Sequence, residues 1–145
     1  MARVTYSVET DLDPKVVWDA LTEFDPRRAE LWPDLSASDF KVLDRGESWA
    51  RVREGTASLG IWSIERYEWE YPVITATVED ASAAQTGGTW RMEVQPRSGG
   101  GSVLAIKMDR RAKGFVGHII HGLFQVTSGR FLAARTQRML SNIRG

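Results

Sequence analysis

The chain has 145 residues, no cysteine, and 19 basic against 19 acidic residues. That length predicts one domain, residues 1–145, large enough to bury roughly 70% of its unfolded surface. The balanced charge argues against a general nucleic-acid binder. The lack of cysteine excludes disulfides and thiolate metal sites, and no signal-like start or membrane-length apolar run is present, so a cytoplasmic location is expected.

The first strand is expected over Arg3 to Thr10, where Val4, Tyr6 and Val8 alternate with polar residues. Asp13-Pro14 then opens a helix to about residue 23. Asp25-Pro26 repeats the signal for a second short helix through Leu31, which Pro33 ends. From Ser38 to Arg110 the pattern is strands and turns. The strands are expected at 39–44, 48–54, 61–71, 73–79, 89–95 and 103–110, with a glycine turn at 97–102. Two of them are ambiguous. In 48–54 either Trp49, Arg51 and Arg53 or Ala50, Val52 and Glu54 face inward, and each choice brings in charge. In 61–71, Trp62 and Ile64 share one parity and Tyr67, Trp69 and Tyr71 the other. A bulge near Glu65-Arg66 would turn both sets inward; otherwise Arg66, Glu68 and Glu70 are interior.

The last stretch, Gly114 to Arg144, contains no proline and no acid, and reads as one long helix covering the sheet. Its two halves do not share an apolar direction. Val116, Ile119, Ile120, Leu123 and Phe124 centre on one side, and Leu132, Met139, Leu140 and Ile143 on another. The change falls at Ser128-Gly129, where a bend is expected. The glycine-rich front half is then a pocket lid and the back half an anchor. An exposed front stripe would instead point to a dimer or a membrane-surface contact. Charge is also uneven. Residues 1–40 hold nine acids against four bases, and the chain from Arg110 onward holds seven bases and no acid. Either the two ends neutralise each other or the basic end meets a partner.

The order strand, two short helices, six strands and long helix resembles the START-like, polyketide cyclase/dehydrase superfamily with its helix-grip fold. So does the local run of Val17-Trp18, Leu21-Thr22 and Trp32-Pro33 after a proline-started helix. The resemblance implies an α+β fold, a seven-stranded curved antiparallel sheet around the C-terminal helix. It also implies a ligand between the two. With the alternation above, the implied binding residues are Trp62, Tyr67, Ile74, Trp90, Met92, Ile106, Met108, Arg110, Ile119, Ile120, Leu123 and Phe124. The implied function is binding of a small hydrophobic or aromatic molecule, lipid- or polyketide-like. The alternatives are a cyclase/dehydrase enzyme, or an interaction module docking through the basic helix residues Arg130, Arg135, Arg138 and Arg144. No cofactor or metal is expected, nor a nucleic-acid partner or a membrane span; a homodimer stays open. His118 and His121 could share a metal by spacing, but no third ligand is evident, and a single-histidine acid–base role is the other reading. Arg110 continues the inward parity of Leu104, Ile106 and Met108, so it either anchors a carboxylate or enolate or snorkels to the strand end.

Overall fold

The computed structural model describes residues 2–25, 27–32, 35–36, 38–56, 60–127 and 129–143, with the side chains of Ala2 and Phe124 outside that description. Strand β1 (Ala2–Thr10) leads into helices α1 (Pro14–Leu21) and α2 (Arg28–Leu31). Six strands follow: β2 (Lys41–Arg45), β3 (Trp49–Thr56), β4 (Ile61–Glu70), β5 (Val73–Ala81), β6 (Thr89–Pro96) and β7 (Ser102–Arg110). Helices α3 (Gly114–Val126) and α4 (Arg130–Ile143) close the chain. The Asp-Pro signals place α1 and α2 as expected, although Asp13 makes no capping hydrogen bond. Asp25 instead accepts from the Arg27 backbone N–H. Pro26 and Pro33, which the sequence uses as start and stop, lie outside the described residues.

All seven strands form one antiparallel sheet in the order β1-β7-β6-β5-β4-β3-β2. The run from β2 to β7 is a meander because each short turn returns the chain beside its predecessor. The β6–β7 turn uses Gly99, Gly100 and Gly101, all at positive φ. β1 pairs with β7 from Ala2↔Arg110 to Thr10↔Ser102, so the first strand becomes an edge beside the last.

Alternation puts one apolar face of this sheet against α1 and α4. Ile74, Met92, Leu104 and Ile106 are essentially fully buried there. They pack in one cluster with Val17 and Leu21 of α1 and Met139 and Leu140 of α4. In α4 the buried residues Leu132, Thr136, Met139 and Leu140 recur at helical spacing. The chain ends meet here: the Asn142 side chain donates to the Leu31 carbonyl (2.8 Å) and the Gln137 side chain to the Glu9 carbonyl (3.2 Å).

The C-terminal stretch is two helices rather than one. The break is at Gly129, at φ +82°, where an added Cβ would come within 2.9 Å of Val4 Cγ1. A left-handed residue pressed on β1 ends α3 and sets α4 on a new axis, as the two apolar directions require.

Candidate functional site

The inner sheet face is not uniformly apolar. Register resolves both ambiguous strands. β3 turns Ala50, Val52 and Glu54 inward, opposite Tyr67, Glu65 and Ser63 of β4. Arg66 and Glu68 therefore face outward with Trp62 and Ile64. Trp62 is thus not on the concave face as the sequence suggested. It pairs with Gly55, and the Arg53 guanidinium lies over its ring at 4.6 Å. A bulge does occur in the β4–β5 ladder, between Ile64 and Glu65. Its extra residue is on β5, where Glu79 is skipped between Val78 and Asp80, so β4 itself is not reversed. Tyr71, expected inward, is 55% exposed and meets Trp18 edge-on.

Glu54 and Glu65 thus occupy one face as diagonal neighbours on adjacent strands. Tyr67 donates its hydroxyl to Glu54 Oε1 at 2.7 Å. Arg28 of α2, only 2% exposed, points its Nε at the same oxygen from 3.9 Å. Its Nη1 donates to the Leu21 carbonyl, and its guanidinium lies over the Phe24 and Tyr67 rings. Burial first, then the Glu65 carboxylate, push the Glu54 pKa up, against the pull of Arg28 and the Tyr67 hydrogen bond. Burial and the two carboxylates push the Tyr67 hydroxyl well above its ordinary value.

Glu65 anchors the second half of the group. It accepts from Ser63 Oγ at 2.7 Å and pairs with Arg110 Nη2. Arg110 ends β7 and reaches across the open end of the sheet to β4. Gly88 makes that reach feasible, since a Cβ there would lie 3.1 Å from Arg110 Cγ. The inward parity expected of Arg110 holds, and its partner is a carboxylate. Nε of Arg28 and Nε of Arg110 are buried donors with no hydrogen-bond acceptor among the described residues.

Aromatic side chains also gather beside α4. The Trp32 and Trp90 rings meet edge-on at 6.4 Å, and the Arg135 guanidinium covers Trp32 at 4.6 Å. Tyr6 shares a 3.3 Å hydrogen bond with Thr136 of α4. Burial pushes the Tyr6 hydroxyl up, against the opposing effects of Thr136 and Arg135. Arg135 is half-buried on Trp32, whereas Arg130 and Arg138 are exposed. Arg144 lies outside the described residues.

Of the implied binding residues, Tyr67, Ile74, Met92, Ile106 and Met108 are buried on the inner side, with Trp90 and Arg110 partly so. Ile74, Met92 and Ile106 are packed core at 0–1% exposure. Helix α3 departs from its expected orientation. Ile119 is 57% and Leu123 46% exposed, and only Ile120 is half-buried; the Phe124 side chain lies outside the described residues. The cause is a backbone contact. Gly117 faces Ala83 so closely that a Cβ would collide with the Ala83 carbonyl oxygen, which also accepts from Lys113 N. That anchor turns the Gly117 and His121 side of α3 inward and the apolar stripe outward.

The two histidines also diverge. His118 is exposed, with Nδ1 hydrogen-bonded to the Gly114 carbonyl at 2.7 Å. His121 is buried, and burial followed by the Arg110 charge lowers its pKa. Among the described residues no cluster of three or more His, Asp or Glu could hold a metal ion. No described helix is long and apolar enough to cross a membrane.

Residues from β3, β4, β7 and α2 therefore converge as two linked acid–base groups on an otherwise apolar face. Sequence reading missed Arg28, Glu54 and Glu65. Arg28 sits on a four-residue helix too short for periodicity to show, and Glu54 was one of two equal parities in β3.

No family model matches the chain, and no curated protein matches it in sequence. Solved structures do match in fold. The Zhui aromatase/cyclase from Streptomyces sp. R1128 superposes with TM-score 0.77 at 14% identity, covering 98% of this chain and 93% of that one. A START superfamily protein from Mycobacterium smegmatis gives 0.71 at 14% identity, with 99% and 94% covered. Truncated norcoclaurine synthase from Thalictrum flavum gives 0.67 at 12% identity, with 94% and 89% covered. The architecture is that of the START-like, helix-grip fold.

One consequence of the site is measurable without a ligand. Glu54 holds its proton more tightly folded than unfolded, so its contribution to wild-type stability falls as pH rises from the ordinary glutamate value of 4.5 through the folded value. Glu54→Gln stays neutral. Its melting temperature relative to wild type should rise across that window and level off above it. A pH series of thermal melts checks this, and a difference that is flat with pH would contradict the burial of Glu54.

Proposed function

We propose that residues 1–145 act as one unit that binds a small hydrophobic or aromatic molecule, lipid- or polyketide-like, on the concave face of the sheet beside α4. Trp90, Met108 and Tyr67 would give apolar contact, backed by the packed core of Ile74, Met92 and Ile106. Arg110 would meet an oxygen acceptor on the ligand, such as a carboxylate, carbonyl or enolate. The observation carrying this reading is the interior charge group. A fold gains little by burying two carboxylates and two guanidiniums; such groups concentrate where ligands are held. The unaccepted Nε donors of Arg28 and Arg110 favour an oxygen-bearing ligand over a plain hydrocarbon.

A second reading has one specific support. The raised Glu54 carboxyl, hydrogen-bonded to Tyr67, is suited to exchange a proton with a bound carbonyl compound. Two of the fold's neighbours are an aromatase/cyclase and a synthase. Cyclase or dehydrase chemistry is therefore the enzymatic form of the same site, with Glu54 moving the proton and Arg110 steadying the oxyanion.

Native mass spectrometry of the purified chain, followed by thermal shift with naphthols, flavonoids and fatty acids, tests the binding reading. A bound or stabilising ligand is expected. Arg110→Gln should weaken it by roughly tenfold or more, the loss of a charge-assisted hydrogen bond. No ligand and no shift across the panel would refute it. Turnover of a carbonyl substrate by the wild type that Glu54→Gln loses while still binding would support the enzymatic form; binding by the wild type with no turnover would leave binding without catalysis.

A further inference from the structure

Helix α3 turns its apolar side to solvent. Phe115 and Val126 are each 80% exposed, Ile119 57%, Val116 49% and Leu123 46%. Their spacing puts all five on one face of the helix. An apolar stripe of this kind at the surface marks a contact site. What covers it is indicated by charge. Gly114 to Val126 contains no Lys, Arg, Asp or Glu, Arg111 and Lys113 precede it, and Arg130 follows. No acid occurs after Asp109. We propose that α3 docks the protein on an anionic lipid surface, lying in the interface with its stripe among the acyl chains and the flanking bases at the headgroups.

A second copy of the chain is the competing occupant, and two observations oppose it. A helix of 13 residues is about 20 Å long and about 10 Å wide, so its footprint falls well below the ~800 Å² per partner of a standard stable interface. A two-fold pairing would also bring the same acid-free segments together, bases against bases. An anionic headgroup layer meets neither objection, and each base near it contributes attraction. The inner anchor of α3 on Ala83 leaves the stripe outward without unfolding anything. The proposal does not depend on the interior site being occupied.

Sedimentation with phosphatidylcholine vesicles, with and without phosphatidylglycerol, tests it. Binding is expected to require phosphatidylglycerol and to weaken with salt. The double variant Phe115→Ser/Val126→Ser should lower partitioning by at least about tenfold, with an unchanged melting temperature because both sites are exposed. Arg111→Glu should weaken it to a lesser degree. Absence of binding at low salt would overturn the proposal, as would binding that the double variant leaves intact. A wild-type dimer in analytical ultracentrifugation that the double variant dissociates, without vesicle binding, would assign the stripe to a second copy.

Discussion

Arg28→Ala is expected to destabilise the fold by about 3–5 kcal/mol, the cost of removing one member of a buried ion pair. The guanidinium is 2% exposed and serves four partners at once. It holds the Leu21 carbonyl at the end of α1, it offsets the Glu54 charge, and it fills the space over Phe24 and Tyr67. Alanine leaves the carbonyl unaccompanied and Glu54 without its nearest cation. Part of the loss should return when Glu54 is neutralised. Arg28→Ala/Glu54→Gln should therefore be more stable than the sum of the single changes by about 1 kcal/mol or more. Urea denaturation of the four proteins closes the cycle. A loss below about 1 kcal/mol for Arg28→Ala would mean that Glu54 is stabilised by water rather than by this arginine.

How far this site could be read from the sequence depended on the strand. In β6 and β7 the inner residues Met92, Val94, Leu104, Ile106 and Met108 alternate with smaller or polar outer ones, so the face was legible and Arg110 followed by parity. In β3 both parities carry charge, and in β4 both carry aromatics. There the deciding fact is register against the neighbouring strand, a nonlocal property that alternation does not encode. Trp62 illustrates the error. A bulge in β4 near Glu65-Arg66 would turn it inward, yet on the outer face it is half-covered, with the Arg53 guanidinium stacked on it. The break at Gly129 was legible because the two halves of the C-terminal stretch had apolar stripes in different directions. The rotation of α3 was not. It is set by Gly117 against the Ala83 carbonyl, a backbone contact between segments more than thirty residues apart that leaves no periodic trace.

That same contact gives the second large effect. Gly117→Val is expected to undock α3 while leaving the sheet and α4 intact. The valine side chain would occupy the position of the Ala83 carbonyl oxygen, a backbone atom that cannot rotate away. Overpacking of this kind costs about 1–3 kcal/mol, and α3 has little to set against it. Its inward face holds Gly117 and His121, and it is tied to β1 through the Gln125 side chain on the Arg3 carbonyl at 3.4 Å. α4, by contrast, buries Leu132, Thr136, Met139 and Leu140. Native-state hydrogen exchange should then show α3 amides opening about tenfold to a hundredfold more readily in the variant, with α4, β6 and β7 unchanged. Uniform loss of protection across the sheet would show instead that α3 is part of one cooperative unit, and that its outward stripe is held in place by the whole core rather than by a single anchor.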